Sequence, residues 1–80
     1  MAQITTHILY GFNEEGAEAI SIIHPSVGLE RWLKKNDYYQ LAQNPDALRL
    51  LEVGELVEVS EFQPIIDWTH LTLRTLTTDV

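Results

Sequence analysis

Ala17-Glu18-Ala19-Ile20-Ser21-Ile22-Ile23-His24, residues 17–24, can be built in two ways, and each leads to a different fold. As a strand, it turns Ile20 and Ile22 inward and Ala19 and Ser21 outward, and it completes a hairpin with residues 3–10. As a helix, it would be capped by Asn13, with Glu14 and Glu15 at the positive end of the dipole and Ala17, Ile20 and Ile23 on one face. Gly16 in the first turn and the cluster of β-branched isoleucines weaken the helix, so the strand is preferred. Pro25 ends either element.

Working outward, Gln3-Ile4-Thr5-Thr6-His7-Ile8-Leu9-Tyr10 is rich in β-branched and aromatic residues. Ile4, Ile8 and Tyr10 share one parity and Thr5 and His7 the other, so a half-buried strand fits, with His7 on its outward side. Gly11 to Gly16 reads as a polar turn. On the C-terminal side, Ser26 is expected to cap a helix running to about Lys35. Its apolar stripe is Leu29, Trp32 and Leu33, and Glu30 and Lys34 form an i, i+4 pair. Asp37-Tyr38-Tyr39-Gln40 reads as a second helix start. Asn44-Pro45-Asp46 reads as a third, with Leu41, Leu48 and Leu51 inward and Gly54 as the stop. From Glu55 the period becomes two, with Val57 and Val59 on one side. Phe62 breaks that parity, which suggests a bulge or the strand's end, and Gln63-Pro64 is expected to form a corner. A last strand is expected over Thr69–Thr77, with Leu71 and Leu73 inward and His70, Thr72 and Arg74 outward. The order β-β-α-(α)-β-β predicts a single α+β domain over residues 1–80. An antiparallel sheet of three or four strands would carry one or two short helices on one face.

Composition bounds the function. The chain has 80 residues, no cysteine and a net charge of −7. Leu, Ile, Val and Phe supply 25 of the 80 residues, enough for a packed core. Without cysteine there is no disulfide framework, thiol nucleophile or iron–sulfur centre. The N-terminal residues lack a basic stretch followed by a long apolar run, and no apolar run reaches membrane-span length, so a cytoplasmic protein is expected. Charge is segregated along the chain: −3 over residues 1–25, +1 over 26–50 and −5 over 51–80. That sign disfavours direct contact with DNA, RNA or an anionic membrane and favours a basic protein partner.

Few constellations carry chemistry. Ser21, Ser26 and Ser60 lie in no nucleophile turn, and the glycines at 11, 16, 28 and 54 make no phosphate-binding loop. No cofactor is implied. His7 and His70, both expected on outward parity, could meet across paired strands, which leaves a metal-dependent enzyme as a remote alternative. The most unusual pattern is Glu52, Glu55, Glu58 and Glu61 at a constant spacing of three. Such a row either discourages unwanted sheet extension or stands in for phosphates against Arg and Lys.

Together these features predict a non-enzymatic protein that binds a macromolecule. A carboxylate-rich face of Glu14, Glu15, Glu52, Glu55, Glu58, Glu61 and Asp67 would be punctuated by Tyr38, Tyr39 and Trp68. The expected partner is a protein with a basic surface, nucleic-acid-binding complexes included. By charge and size alone, the analogy is to small acidic inhibitors of the anti-CRISPR or DNA-mimic kind. A homo-oligomeric structural or regulatory subunit, a homodimer in the simplest case, is the second expectation. It is motivated by a core that is thin for so short a chain.

Overall fold

The chain's first and last strands lie side by side and pair antiparallel from Gln3↔Asp79 to Phe12↔His70. The computed structural model describes residues 2–62, 65 and 67–79. Its elements run β1 (Gln3–Asn13), β2 (Gly16–Ile23), α1 (Leu29–Lys35), α2 (Tyr39–Ala42), α3 (Pro45–Glu52), β3 (Val57–Glu58) and β4 (His70–Asp79). One antiparallel sheet of order β2-β1-β4-β3 results, with the three helices on one face. This is the α+β architecture expected from the sequence. The proposed corner at Gln63-Pro64 lies outside the described residues.

Residues 17–24 adopt the strand reading. β2 pairs with β1 from Asn13↔Gly16 to His7↔Ile23, and the register skips Ile20 opposite Leu9 and Tyr10. This bulge corrects the expected alternation. Ile23 is buried and Ile20 packs against the core, whereas Ile22 is 58% exposed. At Phe62, where a bulge or the strand's end was expected, β3 has already ended at Glu58 and Phe62 lies in a bend.

The register also decides which side of β1 is inside. Leu9 faces Leu73 and Gly11 faces Leu71 on the helix side, so Ile4, Ile8, Tyr10 and Phe12 occupy the opposite, helix-free face. The sequence supplies apolar residues on both parities of β1. The covered one is set by its neighbours, because Leu71, Leu73 and Ile23 must share a core with the helices. The core comprises Leu9, Ile23, Val57, Val59, Ile65, Leu71 and Leu73 beneath Leu29, Leu33, Leu41, Ala42, Ala47 and Leu51. Burial at this scale is the main force holding the two layers together.

The helices follow their sequence signals unevenly. α3 starts as expected: Asn44 Oδ1 accepts from Ala47 N–H at 3.1 Å, and Pro45 occupies the first turn. α1 begins later than expected. Ser26 lies in a turn closed by Val27 and Gly28 N–H donating to the His24 carbonyl, and Gly28, at φ 81°, takes the cap position. The Glu30–Lys34 ion pair forms at 3.4 Å on the exposed side of α1. Asp37 does not cap α2. It adopts φ 68°, a left-handed corner, and Tyr38 precedes the helix without a side-chain cap.

One packing contact ties the ends of the sheet to the core. Trp68 lies flat over Gly11, where a Cβ would overlap the indole ring. Gly11→Ala is therefore expected to lower unfolding free energy by about 1–3 kcal/mol through overpacking, read from urea denaturation. Removing the α3 cap with Asn44→Ala should cost about 1 kcal/mol by the same measurement.

Candidate functional site

The tip of the first hairpin is locked by Asn13, whose Oδ1 accepts from Glu15 N–H at 2.9 Å and Gly16 N–H at 3.2 Å. This local side-chain turn leaves only Glu14 and Glu15 between the strands and turns both outward into solvent. Gly16 sits at φ 132°, a conformation that glycine adopts without strain. The polar turn read over residues 11–16 is thus two residues long, and β1 runs on to Asn13.

A second segment is fastened to the same end. Thr69 donates twice to the Phe12 carbonyl, through its N–H at 2.9 Å and its hydroxyl at 3.0 Å. Val59 N–H in turn donates to the Thr69 carbonyl at 2.8 Å. These bonds carry Asp67 and Trp68 to the hairpin and bring the chain after β3 alongside them. Glu58 pairs with His70, which pairs with Phe12, so Glu58 and the adjacent turn containing Glu61 fall at the same end of the sheet.

Two shallow depressions flank the hairpin tip. One, of about 250 Å³, is lined by Asn13, Glu15, Gly16, Ala17, Glu18 and Trp68. The other, of about 470 Å³, is lined by Asn13, Glu14, Glu15, Asp67 and Thr69. Glu14, Glu15, Glu18, Glu58, Glu61 and Asp67 thus share one end, and all are exposed. Among the described residues, the ion pairs are Lys34–Glu30 and Arg49–Asp46, both on the helices. None involves the acidic end. Four of the five basic residues, Arg31, Lys34, Lys35 and Arg49, belong to α1 and α3, and Arg74 lies on the helix-free face over the Tyr10 ring.

The structure divides the residues singled out from the sequence. Glu14, Glu15 and Asp67 come together at one depression beside Trp68, whereas Glu58 and Glu61 share only the same end of the sheet, on the β3 side. Glu52 is the last residue of α3 and lines a different depression with His7, His24 and Leu73, and Glu55 follows it in the connection to β3. The constant spacing of three therefore does not make a row, because the four glutamates occupy a helix end, a connection, a strand and a turn. Tyr38 packs against Trp32 at a tilt of 39°, ring centroids 5.9 Å apart, in the helical layer. Tyr39 is exposed there, and neither lines the depressions at the acidic end. Trp68 is half-buried, with one ring face on Gly11 and its edge at the Glu18 depression.

Glu18, Asn13 and Thr69 are site-building residues that the sequence did not single out. Asn13 followed three residues later by a glycine was the available signal. Thr69 carries none, because its acceptor lies 57 positions away. His7 and His70 do not meet. They stand on opposite faces, at register positions five residues apart, or about 17 Å. His7 instead bonds Thr75 Oγ1 at 2.9 Å. Among the described residues, no group of three His, Asp or Glu side chains is placed to hold a metal ion. No described helix is long and apolar enough to cross a membrane.

Comparison with known protein families, with curated proteins and with solved structures gives no match to this chain.

Carboxylates crowded without cations repel one another. Glu15→Gln and Glu18→Gln are therefore expected to raise the urea midpoint slightly at low ionic strength. The gain should vanish near about 0.5 M salt, where screening acts within a few Å. A loss of stability in either variant would show that these groups hold the fold instead.

Proposed function

We propose that this protein is a non-enzymatic binding protein whose acidic sheet end docks on a basic surface of a partner protein, of the kind that otherwise holds nucleic acid. One observation carries the reading: the anions of two segments distant in sequence, Glu14, Glu15 and Glu18 from the hairpin and Asp67 from the loop before β4, are fastened around Trp68 with no described cation bonded to them. Exposed carboxylates of this kind lose little solvation on meeting Arg or Lys side chains at an interface rim. They raise the association rate more than they raise affinity. Trp68 supplies the apolar element that such a rim surrounds, since tryptophan is enriched among residues that dominate interface energies. The resulting logic is that of a small acidic inhibitor or adaptor that competes with phosphates for a basic groove.

The test uses a Lys/Arg-rich peptide as probe, with binding followed by the fluorescence of the two tryptophans and by residue-resolved amide chemical shifts. Binding is expected to weaken steeply with salt and to shift residues 13–18 and 67–69. Replacing Glu14, Glu15, Glu18 and Asp67 by their amides should reduce affinity about ten-fold or more, a change of roughly 1.4 kcal/mol. Glu30→Gln with Asp46→Asn and Glu52→Gln, a set that lies on the helices, should matter much less. Equal effects from the two sets would show that only net charge is sensed, and salt-independent binding would remove the electrostatic basis.

A further inference from the structure

We propose that the helix-free face of the sheet is the contact surface of a homodimer, formed with a second copy of this chain. β1, β2 and β4 turn Ile4, Ile8, Tyr10, Phe12, Ile22 and Leu76 to this side. Ile4, Ile22 and Leu76 are 54%, 58% and 50% exposed there. A contiguous apolar patch of this kind on a folded surface marks an association site.

Charge selects the occupant. From the Ile4 row to the Tyr10 row, the face holds no carboxylate among the described residues, and its one cation, Arg74, lies over the Tyr10 ring at 5.8 Å. The carboxylates nearest this face are Glu58, at the β3 edge of the Phe12 row, and the hairpin-tip residues Glu14 and Glu15 beyond Phe12. Two copies of a chain with a net charge of −7 repel wherever their carboxylates meet. This patch allows close approach without such a meeting. An antiparallel two-fold arrangement centred between the Thr6 and Ile8 rows would set Ile4 against the Tyr10 row and Leu76 against the Ile8–Ile22 row. It would also send the two acidic ends to opposite poles. Sheets packed face to face in this way lie about 10 Å apart.

The area is sufficient for a weak dimer. Six rows of three strands and four of two, at about 3.4 Å per row and about 4.8 Å per strand, give roughly 420 Å² of flat face per copy. Two copies together bury roughly 850 Å², the size of a weak, transient interface. The face also continues past the helical layer. Only β1 and β4 remain beyond the His7 row, and residues 74–79 are exposed, which draws the molecule out to 43 × 27 × 19 Å. A bare two-stranded ribbon is marginally stable on its own, and a second sheet across it would supply the missing layer.

Sedimentation velocity from about 5 to 300 µM, the range of micromolar affinity, tests this at about 0.15 and 0.5 M salt. A concentration-dependent dimer that is unchanged or strengthened by salt is expected, the opposite of the salt response at the acidic end. Leu76→Asp and Ile22→Asp, at exposed positions, should weaken the dimer at least about ten-fold and lower the melting temperature only at concentrations where the unaltered chain is dimeric. The four-residue amide variant of the acidic end should still dimerise. A monomer at every concentration overturns the proposal. So does a dimer that both aspartate variants leave intact, since it would then rest on another surface, such as the outer edge of β2.

Discussion

The antiparallel pairing of β1 with β4 is the constraint on which the rest of this structure depends. It joins residues near the two ends of the chain, Gln3 with Asp79, and it makes β1 a central strand with neighbours on both sides. The alternation of the strands then assigns every side chain of β1 and β4 to a face. Leu9, Leu71 and Leu73 are buried against the helices, and Ile4, Ile8 and Leu76 are left on the other side. Closing so long a loop costs conformational entropy before any contact rewards it, so the pairing must be held by the helices packed on Leu71 and Leu73 as well as by its own ladder.

The junction at the end of that ladder converts topology into electrostatics. Thr69 bonded twice to the Phe12 carbonyl leaves Asp67 little freedom to move away from Glu14 and Glu15, and Asn13 fixes those two in turn. A local side-chain turn at Asn13 and a long-range pair of bonds from Thr69 thus hold like charges together, a placement that charge repulsion alone would oppose. The cations are elsewhere for an equally local reason. Lys34 and Lys35 fall in the last turn of α1, where the helix dipole favours them, and Lys34 and Arg49 are paired along their own helices. The molecule therefore presents three distinct surfaces: an acidic end, a helical layer of mixed charge and an apolar sheet face.

Much of the fold was legible from the residues. β-branched runs flanked by glycine marked the first hairpin, and the order of elements led to an α+β sheet with helices on one side. Asn44-Pro45 marked the start of α3 because its signal is complete within four residues. Ser26 and Asp37 misled for the converse reason. Each is a residue type that caps helices, but the chain spends Ser26 in the turn after Pro25 and Asp37 in a left-handed corner, and local composition does not separate these uses. At the candidate site, Glu14, Glu15 and Asp67 of the seven acidic residues singled out line one depression, and Glu58 and Glu61 fall at the same end of the sheet. Glu52 and Glu55 do neither, because regular spacing in sequence is regular in space only within one element.

The amino-acid order by itself determined the order and type of most elements, the net charge and the supply of apolar residues on both parities of β1, because these depend on neighbours within a few positions. Only the tertiary structure decided which parity the helices cover, where the extra residue of β2 is absorbed, and which anions become neighbours. The bulge follows from register within the first hairpin, and the covered parity and the neighbouring anions from register between strands 58 to 76 residues apart. Shifting that register by one residue would exchange the two faces and place His7 and His70 differently. Nothing local in the chain distinguishes one register from the next until the core is packed.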